Sequence, residues 1–327
     1  MKKILVTGGA GFIGSHLIKR LVNQGHSVTI IDNLERGKIE FISDIIANIE
    51  MVNADLTDYD LCNKYFTGKD IVIHLASKVG GIGTYLSKPY EVMNANIKMD
   101  INVLRCVVEN KINKYFYASS AHVYPKELQT TTDSPMIKES EAYPANPELS
   151  YGWAKLIGEK LIESAILENK WLKASIGRFI GIYGPNQDFN LDTGSVIPVF
   201  SHRAIKYPLV PFKILGDGKE TRSYCYIDDA VNCILKIIEQ MDYKNVFGPF
   251  NIGKNERNTI EEIAKIVIEI SQKNIEIQYE KNKKTLIMGQ FCDVSKIKDE
   301  INWEAEISLK DGIKNAYLNI SKKINNQ

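Results

Sequence analysis

The sequence predicts an α/β fold: a doubly wound parallel sheet followed by a smaller C-terminal lobe. Three observations carry this expectation. Short apolar runs alternate with helical patterns through the first half of the chain. Those runs are almost continuously apolar, as strands covered on both faces must be. A glycine-rich turn, Thr7-Gly-Gly-Ala-Gly-Phe-Ile-Gly14, lies between the first run and the first helical pattern.

In order, 3–7, 27–31, 50–53, 70–75 and 114–119 read as strands, and 12–23, 59–66 and 90–109 as the helices among them. Repeated βα units imply right-handed crossovers and hence a parallel sheet. Ser150-Tyr-Gly-Trp-Ala-Lys155 opens another helix, and 172–179 comes next as a strand. Beyond it the pattern loosens. Residues 184–190 read as a loop, 196–205 as a helix interrupted early by Pro198, 226–240 as a helix and 250–253 as a buried strand. Thr259-Ile-Glu-Glu262 and Ser308-Leu-Lys-Asp311 have capping-box spacing. The expected division is 1–180, with 225–255 returning to it, and 181–327.

Composition excludes several function classes. The 327 residues are 44% hydrophobic and 25% charged, with a formal net charge of +1. No overall field favours nucleic acid or an acidic membrane surface. Cys62, Cys106, Cys225, Cys233 and Cys292 form no C-x-x-C pair, so reduced thiols and no metal site are expected. The apolar run at the N-terminus is too short for a signal-peptide core. No stretch reaches the roughly 20 apolar residues of a membrane span. A cytoplasmic location is expected.

Gly8, Gly11 and Gly14 let the backbone approach a pyrophosphate, whose charge then sits at the helix N-terminus beside Phe12 and Ile13. Asp32 closes the second strand about 20 residues beyond the loop, where a carboxylate receives the adenosine ribose hydroxyls. It would repel a 2′-phosphate, which favours NAD over NADP. Asn33 adjoins it, and the nearby Arg36 is the opposing signal. Asp55 has two readings, a contact to the adenine amino group with Leu56 packed on the ring, or a helix N-cap. Leu75 and Ala76, in His74-Leu-Ala-Ser77, lie where the cofactor should run, with His74 itself structural.

Tyr151 and Lys155 share one face of their helix. An ammonium beside a phenol should lower the phenol pKa. The phenolate can then take the proton of a sugar hydroxyl while a hydride leaves the same carbon. The spacing alone is common on helices, and the surrounding motifs give it meaning.

Those motifs are the glycine loop, Asp32, His74-Leu-Ala, Ser119-Ser120, Tyr151-x-x-x-Lys155, Arg178-Phe-Ile-Gly-Ile-Tyr-Gly-Pro185, Gly216–Arg222, Tyr226-Ile-Asp-Asp229 and Phe250-Asn-Ile-Gly253. Together they resemble the extended short-chain dehydrogenase/reductase superfamily, in its nucleotide-sugar epimerase/dehydratase branch. The resemblance implies a Rossmann-type NAD-binding domain and a substrate-binding C-terminal lobe. It implies that Ser120 holds the sugar hydroxyl, Tyr151 takes its proton and Lys155 binds the nicotinamide ribose. A 4-keto sugar is the implied intermediate. Arg222 occupies the place of a diphosphate-binding arginine, while Asn190 and Val196 lie where the family contacts the diphosphate and base. A homodimer through helices 90–109 and 151–166 is implied as well.

Within the branch, Val79–Gly83, which includes Gly81, resembles the glycine loop of both GDP-mannose 3,5-epimerases and GDP-fucose synthases, and Phe116–Pro125 resembles the epimerases. Asp188–Pro198 resembles GDP-fucose synthases, so a GDP-sugar is the favoured substrate. Both groups carry a cysteine acid/base where this chain has His122. Their second acid/base falls on Asn190 and Ser195, and Met288 and Gln290 replace diphosphate-binding arginines. Lys283 and Lys284 are alternative phosphate contacts. The expected function is an NAD-dependent nucleotide-sugar epimerase. The alternatives are a 4,6-dehydratase with His122 as base, a net 4-dehydrogenase or reductase, and a non-catalytic NAD-binding scaffold. His122 has two readings, a catalytic group or a residue lining the pocket.

Overall fold

The computed structural model describes residues 1–80, 82–243, 247–281 and 287–326. Strands β1 (Lys3–Thr7), β2 (Ser27–Asp32), β3 (Ile49–Asn53), β4 (Ile71–His74), β5 (Lys114–Ser120) and β6 (Lys173–Phe179) form one sheet with Phe250–Ile252. All neighbours are parallel. The order is Phe250–Ile252, β6, β5, β4, β1, β2, β3. This is the Rossmann order with one strand added. The order reverses between β1 and β4, where Thr7 lies in register with His74. A crevice at the carboxyl ends of the strands is where such a sheet binds its ligand.

Side-chain alternation divides the core between the two faces. Ile4, Val6 and Ile30 pack with Leu17 and Ile18 of helix α1 (Phe12–Asn23). Leu5, Ile31 and Val72 pack on the other face with Val103, Val107 and Ile162. The latter three belong to α4 (Pro89–Glu109) and α5 (Ser150–Glu168). Because both faces are covered, the strands contain few polar interruptions, which is why their runs are visible in the sequence.

Two helices differ from expectation. Helix α2 stops at Asn63 rather than Phe66 (Tyr59–Asn63), because Tyr65 and Phe66 close tighter i→i−3 bonds to Cys62 and Asn63. Helix α6 (Val196–Lys206) runs unbroken through Pro198. That proline falls in the first turn, where its missing N–H has no intrahelical partner to lose. Helix α3 (Ile82–Ser87) precedes α4, and α7 (Ile227–Gln240) returns against α1. Thr259 and Glu262 form a capping box at the start of α8 (Ile260–Ser271). Ser308 caps α10 (Leu309–Asn325) by accepting the Asp311 N–H, and α9 (Ser295–Ile301) lies before it. The C-terminal segments add small sheets: Phe212–Leu215 with Ile277–Glu280, and Thr221–Arg222 between Asn258–Thr259 and Gly289–Gln290. All five cysteines are free and buried. Among the described residues, no group of three or more metal-ligating side chains comes together, and no helix is long and apolar enough to cross a membrane.

One buried ion pair joins α5 to the sheet. Arg178 on β6 donates Nε to Glu159 Oε1 at 2.9 Å and Nη2 to Oε2 at 2.6 Å. Both side chains are almost wholly buried. Glu159→Gln is expected to cost about 3–5 kcal/mol, because it leaves the Arg178 charge buried without its counter-ion. A urea titration monitored by circular dichroism checks this, and an unchanged midpoint would refute it.

Candidate active site

The glycine loop turns tightly at the end of β1. Gly11 donates its N–H to the Gly8 carbonyl at 3.1 Å. A side chain at Gly14 would place Cβ 2.1 Å from Gly8 O, so the close approach of helix and turn requires glycine. Helix α1 begins here with no capping side chain and no acidic residue in its first turn. Its free N–H groups and positive dipole end, flanked by Phe12 and Ile13, therefore face the crevice. This is a cradle that fits a pyrophosphate.

Asp32 ends β2 and is buried. Its carboxylate accepts the Ala10 N–H at 3.0 Å and the Leu34 N–H at 2.9 Å. Burial raises its pKa, against those two bonds. The side chain is thus fixed at the rim of the cradle with lone pairs remaining. Asn33 Nδ2 lies 3.5 Å from Asp55 Oδ2, which brings the two polar residues of neighbouring strand ends together. Asp55 is exposed, and its Oδ1 accepts the Thr57 N–H at 2.8 Å. Asp58, not Asp55, caps α2. Leu56 is buried. Arg36 donates to the Val79 carbonyl at 2.9 Å and to Asp188 Oδ2 at 3.2 Å, so its guanidinium is already engaged across the crevice.

Leu75 and Ala76 come directly after β4 and pass beside the loop, with Ala76 N–H donating to Thr7 Oγ1 at 3.2 Å. His74 is fully buried. Its Nδ1 meets Thr7 Oγ1 at 2.6 Å and its Nε2 meets Asp100 Oδ1 at 2.9 Å. A carboxylate only accepts, so Nε2 carries the ring proton and Nδ1 receives the threonine hydroxyl. Burial lowers the His74 pKa, and the ring is neutral.

Ser120, His122, Tyr151 and Lys155 converge at the carboxyl ends of β4 and β5. Ser120 caps the short turn that carries His122, its Oγ accepting the His122 N–H at 3.3 Å. The imidazole and the Tyr151 ring lie edge to face at 5.9 Å. Gly152 lets α5 come this close, since a Cβ there would stand 2.0 Å from the His122 carbonyl oxygen.

The charge relations differ from expectation. The Tyr151 pKa is pushed up to about 12, chiefly by burial, with Ser77 and Ser120 hydroxyls favouring the phenolate and Asp100 opposing it. Lys155 is not among the groups that shift it. The ammonium stands 4.0 Å from Asp100 Oδ1 and 4.6 Å over the Tyr117 ring, so its charge is directed toward α4 and β5. Burial lowers the Lys155 pKa, opposed by Asp100 and Glu159. His122 is lowered to about 4 by burial and by the charge of Arg222. At neutral pH the imidazole is unprotonated, and its free nitrogen is a base.

The substrate residues are more dispersed. Arg222 spends its fork on backbone carbonyls: Nη1 on Thr221 at 2.8 Å and Met288 at 3.4 Å, and Nη2 on Ile287 at 2.7 Å. Gln290 donates to Gln129 Oε1 at 3.0 Å. Asn190 is exposed, with Oδ1 accepting the Asp192 N–H at 2.9 Å, and Val196 begins α6 behind Ser195. Gly81, Lys283 and Lys284 lie outside the described residues.

The structure adds Asn96, Tyr85 and Asp100, which sequence reasoning does not assign to the site. Asn96 accepts the Ser77 hydroxyl at 2.7 Å and the Lys78 N–H at 2.9 Å, which fixes the turn after β4. Tyr85 stacks on Tyr151 with ring centroids 5.4 Å apart and also faces His122. Asp100 receives His74 and Tyr117. A signal existed for two of them: Asn96 and Asp100 are polar residues at buried positions of an otherwise apolar helical period on α4.

Comparison with known proteins identifies the family. GDP-mannose 3,5-epimerase 1 of Oryza sativa subsp. japonica is 32% identical over 324 residues, 98% of this chain and 82% of the relative. UDP-N-acetyl-alpha-D-glucosaminuronate decarboxylase of Bacillus cytotoxicus is 31% identical over 321 residues, 96% of each chain. The solved UDP-glucose 4-epimerase of Thermotoga maritima with UDP-glucose superposes with a TM-score of 0.87 at 27% identity, covering 98% of this chain and 99% of that one. A model of the NAD dependent epimerase/dehydratase family matches residues 4–253, and the chain belongs to that family as an NAD-dependent enzyme.

Proposed function

We propose that the protein is a nucleotide-sugar epimerase that works through a 4-keto intermediate, with a GDP-sugar as substrate. The observation that carries the reading is the convergence of Tyr151, Ser120 and a neutral imidazole at one strand end. The 32% identity to a GDP-mannose 3,5-epimerase over nearly the whole chain supports the choice of nucleotide.

In this reading residues 1–180, with 225–255, hold NAD, and 181–327 mainly hold the sugar nucleotide. The α1 N-terminus receives the pyrophosphate, Asp32 the adenosine ribose and Lys155 the nicotinamide ribose. Bound NAD supplies a hydride acceptor that returns the hydride later in the cycle. Ser120 holds the 4-hydroxyl and Tyr151 takes its proton. A phenol raised to about 12 stays protonated at neutral pH until positive charge reaches it, so proton removal depends on what Lys155 and the cofactor bring close. Once a ketone stands at C4, the neighbouring C–H is acidic, and His122 takes that proton. Arg222 is one of two causes of the low His122 pKa. A diphosphate beside Arg222 would cancel that charge and raise the imidazole toward its ordinary range, strengthening the base when substrate is present.

The same imidazole supports a second reading, a 4,6-dehydratase in which His122 removes the C5 proton and water leaves from C6. For the dimer, we infer a second copy of this chain on α5. Trp153, Ile157 and Leu161 line an open apolar depression with Tyr143 and Ala145, and Ile101 on α4 is exposed. An unpartnered apolar helix face of this kind suits an isologous contact.

Incubation with GDP-, UDP- and dTDP-sugars in deuterated water, read by NMR and mass, tests the function. The expected outcome is deuterium beside C4 of a GDP-sugar at unchanged sugar mass otherwise. Loss of water instead would establish the dehydratase, and inert GDP-sugars would overturn the nucleotide choice. His122→Ala should abolish exchange while NAD affinity stays within about twofold. Asp32→Ala should weaken NAD at least about tenfold, the loss of one charge-assisted ribose contact, as measured by calorimetry. Trp153→Glu should shift a dimer to monomer in sedimentation. A wild-type monomer would remove the interface.

A further inference from the structure

The buried carboxylate of Asp100 has no part in the chemistry described above. It lies inside the sheet–helix interface on α4, 3% exposed. Oδ1 accepts His74 Nε2–H at 2.9 Å and Oδ2 accepts the Tyr117 hydroxyl at 2.5 Å. The Lys155 ammonium stands 4.0 Å from Oδ1 and is itself 1% exposed. A buried ammonium must have a counter-charge to stay protonated. The groups facing Lys155 are few. Glu159 lies one turn along α5, but its carboxylate is taken by the two-point bond to Arg178 and by the Ser119 hydroxyl at 2.5 Å. His74 is neutral, Tyr117 offers its ring face, and Tyr151 is a phenol. Tyr115 stacks on His74 and adds no charge. Among the described residues, Asp100 is therefore the one carboxylate near Lys155 that no other cation neutralises.

We propose that Asp100 is a positioning residue that keeps Lys155 charged and fixed in place, a role that rests on Lys155 anchoring the nicotinamide ribose. The geometry supports two functions at once. Two fixed donors, one from β4 and one from β5, lock the carboxylate in place, so the ammonium is held by a rigid partner. The carboxylate also offsets the desolvation that would otherwise strip the Lys155 proton. Against burial, the Lys155 charge and the bonds from His74 and Tyr117 hold Asp100 ionised. The pair is self-consistent: each group stays charged because the other does.

This pairing fixes the sign of a pH effect. Lys155 serves the cofactor while protonated, and burial lowers its pKa while Asp100 raises it. Removing the negative charge must lower that pKa further, so cofactor affinity is lost at a less alkaline pH. An opposite charge at this distance moves a pKa by about 1–3 units.

The test is NAD affinity of the full chain from about pH 6 to about pH 10, by calorimetry, in wild type, Asp100→Asn, Tyr117→Phe and Lys155→Met. The alkaline fall in wild-type affinity should move down by about one unit or more in Asp100→Asn. Tyr117→Phe keeps the ring and the carboxylate but removes one of its two donors, so the fall should move much less than in Asp100→Asn. Lys155→Met should abolish it. An Asp100→Asn profile that coincides with wild type overturns the proposal, as does an equal shift in Tyr117→Phe, which would assign the effect to packing. If the fall persists in Lys155→Met, the cofactor-anchor reading itself fails, and the proposal with it. Should Asp100→Asn not fold, Asp100→Asn/Lys155→Met is expected to fold, since no buried charge is then unpaired. A double variant that also fails overturns the pairing. The readout uses no sugar, so an incorrect substrate assignment leaves the test intact.

Discussion

The two-point bond between Arg178 and Glu159 is the constraint on which the active-site end of the molecule depends. It crosses from β6 to α5 inside the core, where neither charge has access to water. The same Glu159 carboxylate accepts Ser119, the residue before Ser120 on β5. Arg178 also donates to the Glu139 carbonyl at 2.8 Å and to the Tyr124 hydroxyl at 3.2 Å. Three chain segments and a helix are thus referred to one planar guanidinium, whose fork fixes angle as well as distance. Tyr151 sits two turns before Glu159 on α5, and Ser120 one residue after Ser119 on β5. Their mutual placement is set by that bond.

Helix α5 therefore carries two buried charges one turn apart, with separate partners. Glu159 is neutralised by a cation on β6, and Lys155 faces an anion on α4. This arrangement solves a problem set by the fold. A helix packed on both α4 and the sheet has little room for ionised groups, yet Lys155 and Glu159 are both buried there. Each charge is offset on its own side, and Lys155 is not among the groups that shift Tyr151. That is consistent with a tyrosine whose pKa is governed by burial and not by the lysine four residues away.

The fold is legible in the sequence because a parallel sheet covered on both faces leaves a strong imprint. The runs at 3–7, 27–31 and 114–119 are mostly apolar, β-branched or aromatic, and the glycine loop marks the turn between β1 and α1. Helix interruptions are less legible. Pro198 reads as a breaker in a linear scan, but its effect depends on whether it falls in the first turn, which only the register of α6 decides. At the site, residues with a motif are visible and those without one are not. Tyr151 and Lys155 announce themselves by spacing, whereas Asp100, Tyr85 and Asn96 act through contacts made by tertiary packing. The upward direction of the Tyr151 shift is hidden for the same reason. Spacing brings an ammonium near a phenol, but it does not say that a buried carboxylate on another helix competes for that ammonium.

Chemistry shared by a family and chemistry particular to one chain separate along the same line. The groups proposed to make a ketone lie on β5 and α5 and are tied through Glu159 to the core. The group proposed to act on that ketone is His122, on a single turn capped by Ser120, with Arg222 from the C-terminal sheet acting on its proton affinity. Arg222 is held by carbonyls of residues 221, 287 and 288, so its charge is fixed while its distance from a bound diphosphate depends on how the substrate lies. Burial, the larger cause of the low His122 pKa, belongs to the free protein, and the Arg222 contribution is the part a bound diphosphate would change. A neutral imidazole flanked by two tyrosine rings has no fixed chemical direction of its own. In the proposed reading, a diphosphate against Arg222 would raise the proton affinity of His122 and so couple the nucleotide end of the substrate to proton transfer at the sugar end.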